Sequence, residues 1–294
     1  MNNKKLIIFG EVLYDCFPGG EKVLGGAPFN VAWHLQAFGQ SPSFISRVGR
    51  DSEGDTILRT MSDWGMETEG VQQDPEHITG KVTISFNQGE PSYEIVAGAA
   101  YDFIDPLPLQ ETTCDTLYHG SLGLRNPVSR SALDQLKRSG AKRIFLDVNL
   151  RPPWWHIEEI LEWVSQADWV KLNRDELDQL LGQSSDLLAQ AMDFKTAYGL
   201  EGVIVTQGEK GAMVLAGNGG RPLEIVPVTS LETVDTVGAG DAFTSVILLG
   251  LMKQWPLEIS LKRAQSFASA IVGQRGATVS SPSFYSDFLK QWES

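Results

Sequence analysis

Short apolar runs and segments of helical period alternate along most of this 294-residue chain. That alternation restricts its fold more than any other feature. Leu6-Ile-Ile-Phe9 is an apolar run ending at Gly10, which suits a buried strand. Pro28 to Phe38 places Val31, Leu35 and Phe38 at helical spacing, with Gly39 as a stop signal. Ser43 to Val48 reads as a second strand. Ser52 to Trp64 repeats the helical pattern through Ile57, Leu58, Met61 and Trp64, and ends at Gly65. After Asp115-Thr-Leu-Tyr-His119, Asn126 is the expected N-cap of a helix with Pro127 at its first position. Arg143 to Val148 predicts a strand, His156 to Gln166 a helix and Trp169 to Leu172 a strand. Gly202 to Thr206 and Ala212 to Leu215 are further strands, and helices dominate from Ala239 onward. The pattern predicts an α/β fold with a mostly parallel sheet and helices on both faces.

One segment breaks the alternation. Lys81-Val-Thr-Ile-Ser-Phe86 and Ser92-Tyr-Glu-Ile-Val96 flank Asn87-Gln-Gly-Glu-Pro91, which predicts a β-hairpin with a five-residue loop. Such an insertion is either a flap over a ligand site or an ordinary edge hairpin. Repeats, low-complexity tracts and an interdomain linker are all missing, so residues 1–294 read as one domain.

Charge and cysteine content exclude several classes of function. Lys and Arg number 24 against 37 Asp and Glu, a net charge of 24 − 37 = −13. That balance argues against nucleic-acid partners and acidic membranes, but not against small anions held by local dipoles. Cys16 and Cys114 cannot form a disulfide framework or a cysteine-rich zinc site. The apolar run before Gly10 is too short for a signal peptide. The stretch from Ala242 to Met252, interrupted by Thr244, Ser245 and Gly250, falls short of the ~20 residues that span a bilayer. A soluble cytoplasmic protein is expected. His34, His77, His119 and His156 lack metal-ligand spacing and read as structural or surface residues.

Three stretches carry chemistry. In Val234-Asp-Thr-Val-Gly-Ala-Gly-Asp-Ala-Phe243, the backbone N–H groups of Gly238, Ala239 and Gly240 can converge on an anion, aided by the positive end of the helix that follows. Asp241, in the first turn of that helix, can accept a proton from an alcohol attacking a phosphate. The plainer alternative is a glycine-rich turn with an acid favouring a helix N-terminus. In Leu24-Gly-Gly-Ala-Pro-Phe-Asn-Val-Ala32, Gly25 and Gly26 allow close approach to the backbone, and Asn30 offers a donor and an acceptor to a polyhydroxyl ligand. A loop-to-helix turn would look the same. Asp147-Val-Asn-Leu-Arg151 leaves a strand at its carboxyl end, where open α/β sheets bind ligands. If the chain stays extended there, Asp147, Asn149 and Arg151 share one side; a salt-bridged strand end is the alternative. Trp154 and Trp155, after Pro152-Pro153, suit ordinary packing better than sugar stacking.

Taken together these stretches resemble the ribokinase-like sugar kinases of the phosphofructokinase-B type. Gly26 and Asp235, in the two signature regions, lie 235 − 26 = 209 positions apart. Asn173-Arg-Asp-Glu176 resembles the family's Asn-x-x-Glu element, and Val205-Thr-Gln-Gly-Glu-Lys-Gly211 its nucleotide loop. The resemblance implies a three-layer α/β/α fold with a small β lid, inserted at about 11–25 and 78–104. It also implies ATP-dependent phosphorylation of a primary sugar hydroxyl. Asp241 would be the base, with Gly238, Ala239 and Gly240 as the anion hole. Asp15, Gly26, Asn30, Asp147, Asn149 and Arg151 would hold the sugar. Thr206, Gly208 and Gly211 would lie along the nucleotide, with Asn173 and Glu176 organising Mg²⁺ through water. A K⁺ ion would take the carbonyls of Asp235 and Val237 together with Gly276 and the Ser280 hydroxyl, in the loop Gly273 to Ser280. The implied partners are a sugar, ATP and, through the lid, a second copy of the chain.

Gly25-Gly-Ala-Pro-Phe-Asn30 is most similar to the signature of bacterial fructokinases. The Asp-x-Asn-x-Arg pattern also fits 2-keto-3-deoxygluconate kinases, and ribokinase is a further alternative. A P-loop and a dinucleotide-binding Gly-x-Gly-x-x-Gly after the first strand are both missing. A catalytically silent sugar-binding regulator on the same fold is disfavoured by Asp241 and its glycine loop.

Overall fold

A computed structural model describes residues 5–87, 90–110, 112–217, 221–227 and 234–293. The chain opens with β1 (Leu6–Phe9), β2 (Leu13–Cys16) and β3 (Lys22–Gly25), then α1 (Ala27–Ala37), β4 (Ser43–Gly49), α2 (Ser52–Asp63) and β5 (Val71–Asp74). The hairpin β6 (Gly80–Asn87) and β7 (Glu90–Ile95) follows, then β8 (Thr116–His119), α3 (Pro127–Arg138), β9 (Arg143–Asp147), α4 (Ile157–Ser165) and β10 (Trp169–Asn173). Next come α5 (Arg174–Leu181), α6 (Leu187–Ala197), β11 (Gly202–Thr206), β12 (Ala212–Ala216) and β13 (Leu223–Ile225). The chain finishes with α7 (Ala239–Lys253), α8 (Leu257–Val272) and α9 (Pro282–Glu293).

Among the described residues the main sheet has nine strands in the order β13-β12-β11-β10-β9-β8-β1-β4-β5. It is parallel from β5 to β11, and β12 pairs antiparallel with both β11 and β13. The two-residue period of each strand feeds two cores. Leu6 and Ile8 point into one with α1, α2, α7, α8 and α9; Ile7 and Phe9 point into the other with α3, α4, α5 and α6. Three layers result. α7 lies deepest, with every residue from Ala242 to Gly250 buried. Each such Ile or Leu contributes about 1.5–3 kcal/mol by leaving water, so Ile247→Ala would cost about 2–5 kcal/mol.

The second sheet has the order β3-β2-β6-β7. β6 lies between β2, in parallel, and β7, antiparallel. Leu13, Val82 and Ile84 pack with Tyr101 and Leu122 into a small core of their own. The strands continue to Asn87↔Glu90, so the five-residue loop expected at 87–91 is shorter than predicted. Gln88 and Gly89, between them, lie outside the described residues. The ladder prevails over the Asn, Glu and Pro that suggested a loop. Arg125 anchors the return from the lid: it donates Nε and Nη2 to Asp102 at 2.6 and 2.8 Å and Nη2 to the Val96 carbonyl at 2.6 Å. Its guanidinium lies 4.6 Å from the Trp154 ring centre, while Trp155 packs on the α3–α6 core. Both tryptophans are thus occupied in packing.

Helices belonging to the α7 layer also fix the C-terminal loop. Trp33 donates Nε1 to the Val279 carbonyl at 3.0 Å, and His34 Nε2 lies 3.1 Å from the Ala277 carbonyl. Burial lowers the His34 pKa to about 3, so its ring is neutral and acts as a strut. Residues Met1 to Lys4 lie outside the described residues. No helix among the described residues is long and apolar enough to cross a membrane.

Candidate active site

The site forms where the carboxyl ends of β1 and β9 meet the amino ends of α1 and α7. Gly26 precedes α1 at φ +110°, and a Cβ there would come within 2.7 Å of the Glu11 carbonyl. This close approach lets α1 start directly against the end of β1, with Pro28 in its first turn. Asn30, one turn in, is 4% exposed and donates Nδ2 to Asp241 Oδ2 at 2.8 Å. The two signature stretches therefore meet in one hydrogen bond.

α7 begins after Gly238, which is left-handed at φ +78° and packs so closely on Ala277 that a side chain there would overlap it. Helix geometry leaves the first N–H groups of α7 without intrahelical acceptors, and they face the position where an anion is best stabilised. Asp241 is half-buried beside them. Burial raises its carboxyl to about 6, against the Asn30 hydrogen bond and the charges of Lys171 and Arg151. A base with that value is ionised at neutral pH and still basic enough to take a proton.

Beneath this turn is a buried ion pair. Lys171 Nζ bonds both oxygens of Asp147, at 2.9 and 2.8 Å. Thr244 Oγ1 donates to Asp147 Oδ2 at 3.0 Å and lies 2.9 Å from the Gly240 carbonyl. Burial opposes the Lys171 charge, but Asp147 more than offsets this and its pKa is raised. Asp147 is thus linked through Thr244 to the turn at Gly240. The condition under which Asp147, Asn149 and Arg151 would share one side, a chain that stays extended, ends at Asn149, which is left-handed at φ +43°. The β9–β10 ladder ends there, with Val148 N donating to the Lys171 carbonyl at 2.9 Å. Asparagine tolerates this conformation because its side chain can bond locally. Asp147 and Arg151 consequently diverge: one is buried and the other exposed. Asp15, on β2 of the lid, is raised by burial and held back by the Arg151 charge.

Asn173 and Glu176 form a capping box at the start of α5, each side chain accepting the other's backbone N–H at 2.8 Å. Glu176 Oε1 also accepts the Leu150 N–H at 2.8 Å, linking this cap to the residue before Arg151. Asn173 pairs with Thr206 across the β10–β11 ladder. Gly208 and Gly211 follow in the turn into β12, and Gly211 N donates to the Gly208 carbonyl at 3.0 Å. Asp235 accepts the Val237 N–H at 2.9 Å and the Gly276 N–H at 3.1 Å, which ties the first two candidate cation ligands to the third. Ser280 is exposed, and no hydrogen bond among the described residues connects it to them.

Sequence reasoning missed Lys171, Thr244 and Glu11. A lysine within the apolar run Trp169 to Leu172 was the available signal for a buried ion pair. Glu11 follows β1 directly and is 2% exposed.

A sequence profile of the pfkB family carbohydrate kinases matches residues 6–283. The chain belongs to this family. It is 28% identical to the fructokinase of Salmonella typhimurium over 95% of this chain and 97% of that protein. The crystal structure of fructokinase from Vibrio cholerae O395 with fructose, ADP and calcium bound superposes with a TM-score of 0.83 at 26% identity, covering 98% of this chain and 99% of that one. A double mutant of the same enzyme with fructose, ADP and potassium bound gives 0.84 at 25% identity, covering 98% of each chain. This chain is a sugar kinase with the ribokinase-like fold.

Proposed function

We propose that this pfkB-family kinase is a cytoplasmic fructokinase, which transfers the γ-phosphoryl group of ATP to a primary hydroxyl of fructose. The observation that carries the reading is the 2.8 Å bond from Asn30 to Asp241 at the amino end of α7. It holds a carboxylate with its pKa raised to about 6 next to the first N–H groups of the helix, of which that of Ala239 bonds the Thr236 carbonyl at 3.4 Å. Asp241 takes the proton of the attacking hydroxyl, and the N–H groups of the 238–240 turn stabilise charge on the phosphoryl oxygens. The transition state is loose, so positioning and charge stabilisation do most of the work. Asp15, Gly26, Asn30 and Arg151 are the proposed sugar contacts, and Thr206, Gly208 and Gly211 the nucleotide contacts.

Asn173 and Glu176 would hold Mg²⁺ through water. Each Glu176 oxygen accepts a backbone N–H and keeps lone-pair capacity, so the oxygen donor set fits that ion. Bound there, Mg²⁺ supplies positive charge against the phosphates. The carbonyls of Asp235, Val237 and Gly276 are hard donors suited to K⁺; the Asp235 bonds to both flanking segments support that site.

The test is the turnover ratio for fructose against 2-keto-3-deoxygluconate and ribose, with Asp241→Asn as the mechanistic control. Fructose should lead both competitors in kcat/KM. Folded Asp241→Asn should lose about 10²–10⁴ in kcat, the span for a positioned base. Better activity on another sugar overturns the substrate; a variant within about threefold of wild type overturns the base.

A further inference from the structure

The β9–β10 ladder sets Asp147 directly opposite Lys171 at the carboxyl end of the main sheet. Alternation along β10 turns Val170 and Leu172 toward the α3–α6 core and Trp169 toward the α7 core. Lys171 therefore faces α7, and it is only 7% exposed. Packing does not call for a charge there, because apolar residues of similar volume often match or exceed a buried ion pair in stability. The contacts of the pair show which way it points. Lys171 Nζ is fixed by both oxygens of Asp147, at 2.9 and 2.8 Å. A Cβ built on Gly240 would lie 3.5 Å from that nitrogen, and no Asp147 atom comes within 4 Å of the same position. The carboxylate instead accepts from Thr244 Oγ1 at 3.0 Å, four residues further along α7. The ammonium thus stands against the first turn of the helix and the carboxylate against the next. The pair is oriented as the helix dipole is, with its positive end at the 238–240 turn.

We infer that Lys171 is a positioning residue for phosphoryl transfer: held by Asp147, its ammonium backs the 238–240 turn with a fixed positive charge and acts through that turn. The inference rests on the sugar-kinase reading above, in which the N–H groups of the turn receive the phosphoryl oxygens. A charge already fixed in a buried site stabilises charge that develops in the transition state without the reorganisation that water would need. Asp147 then serves to hold the ammonium in place and to keep it charged in the interior, and Thr244 ties the carboxylate to the helix that the pair supports.

The experiment measures kcat and the KM values for ATP and sugar in wild type, Lys171→Gln and the apolar double variant Lys171→Met/Asp147→Leu, with a thermal melt of each. The double variant removes both charges but keeps a packed interior, so a purely structural pair predicts wild-type kcat in it. The positioning role predicts a kcat about tenfold lower, with both KM values within about threefold of wild type. Lys171→Gln leaves the Asp147 carboxylate unopposed beside the turn and should lose about a hundredfold in kcat. A folded double variant within about threefold of wild-type kcat overturns the inference, as does one whose KM values rise as kcat falls; a larger loss of kcat at unchanged KM supports it. If the double variant does not fold, Lys171→Gln decides by the same thresholds. Failure of both to fold makes the pair structural and overturns the inference. A wild type that phosphorylates no sugar overturns the kinase reading and the inference with it. An active wild type that Asp241→Asn disables, beside a fast double variant, overturns the inference alone.

Discussion

Replacing Asn30 by Leu should move the pH at which the enzyme switches on. The substitution keeps the side chain's bulk in a position that is 4% exposed, but removes the Nδ2 donor 2.8 Å from Asp241. That bond favours the ionised carboxylate, so its loss raises the Asp241 pKa further. A hydrogen bond to a charged group is worth about 1.5–3 kcal/mol, and each pKa unit about 1.4 kcal/mol. The carboxyl should therefore rise from about 6 to roughly 7–8. Only the ionised form can accept the proton. At pH 7 roughly nine-tenths of wild type is in that form, against about a tenth to a half of the variant. At pH 9 the two should converge. The assay is ADP release at saturating sugar and Mg·ATP from pH 5 to 9, with folding checked by thermal melt. A variant whose acid limb stays near pH 6, or whose kcat is depressed equally at every pH, would refute the idea that Asn30 tunes the base.

Lys171→Met should strand the buried Asp147 carboxylate and cost about 3–5 kcal/mol, a fall of roughly 10 °C in Tm. The double variant Lys171→Met/Asp147→Leu should recover much of that loss, and a double no better than the single would contradict the pairing. Gly238→Ala forces a side chain into a left-handed residue at φ +78° and against Ala277. It should cost at least about 1–2 kcal/mol in denaturant titration, and should lower kcat more than ATP affinity. Exchanging K⁺ for a large organic cation should lower kcat in an ADP-release assay, and an unchanged rate would count against the cation site at Asp235, Val237 and Gly276.

The layers were legible in the sequence because burial on both faces of a parallel strand requires runs such as Leu6 to Phe9 and Gly202 to Thr206. Caps were legible where a side chain and its spacing define them. Asn126 accepts the Val128 N–H at 3.0 Å, and the Asn173–Glu176 spacing forms a capping box. The side each residue of 147–151 takes was not legible, because period-two alternation holds only while a ladder continues. Nothing in the sequence marks Asn149 as the residue that leaves it. Arg174–Leu181 and Leu187–Ala197 were passed over as helices because Gly182 and a run of polar residues interrupt their period. Glu11 escaped notice because an acid after a glycine looks like a solvated turn. Only the tertiary fold, which brings the Gly123 backbone against it, makes it buried.

The bond between Asn30 and Asp241 spans 211 positions of sequence. Its closure comes late in the life of each molecule. During synthesis the amino-terminal half can lay down β1, α1 and β4 long before α7 has left the ribosome. Until then the 238–240 turn and Asp241 are both absent, and Asn30 has no partner for its side-chain amide. The entropic cost of joining such distant segments is met by the sheet that folds between them. A break anywhere in that sheet would separate Asn30 from Asp241, and loss of kinase activity should track loss of the whole fold. Turnover is thus a measure of completed folding as well as of chemistry.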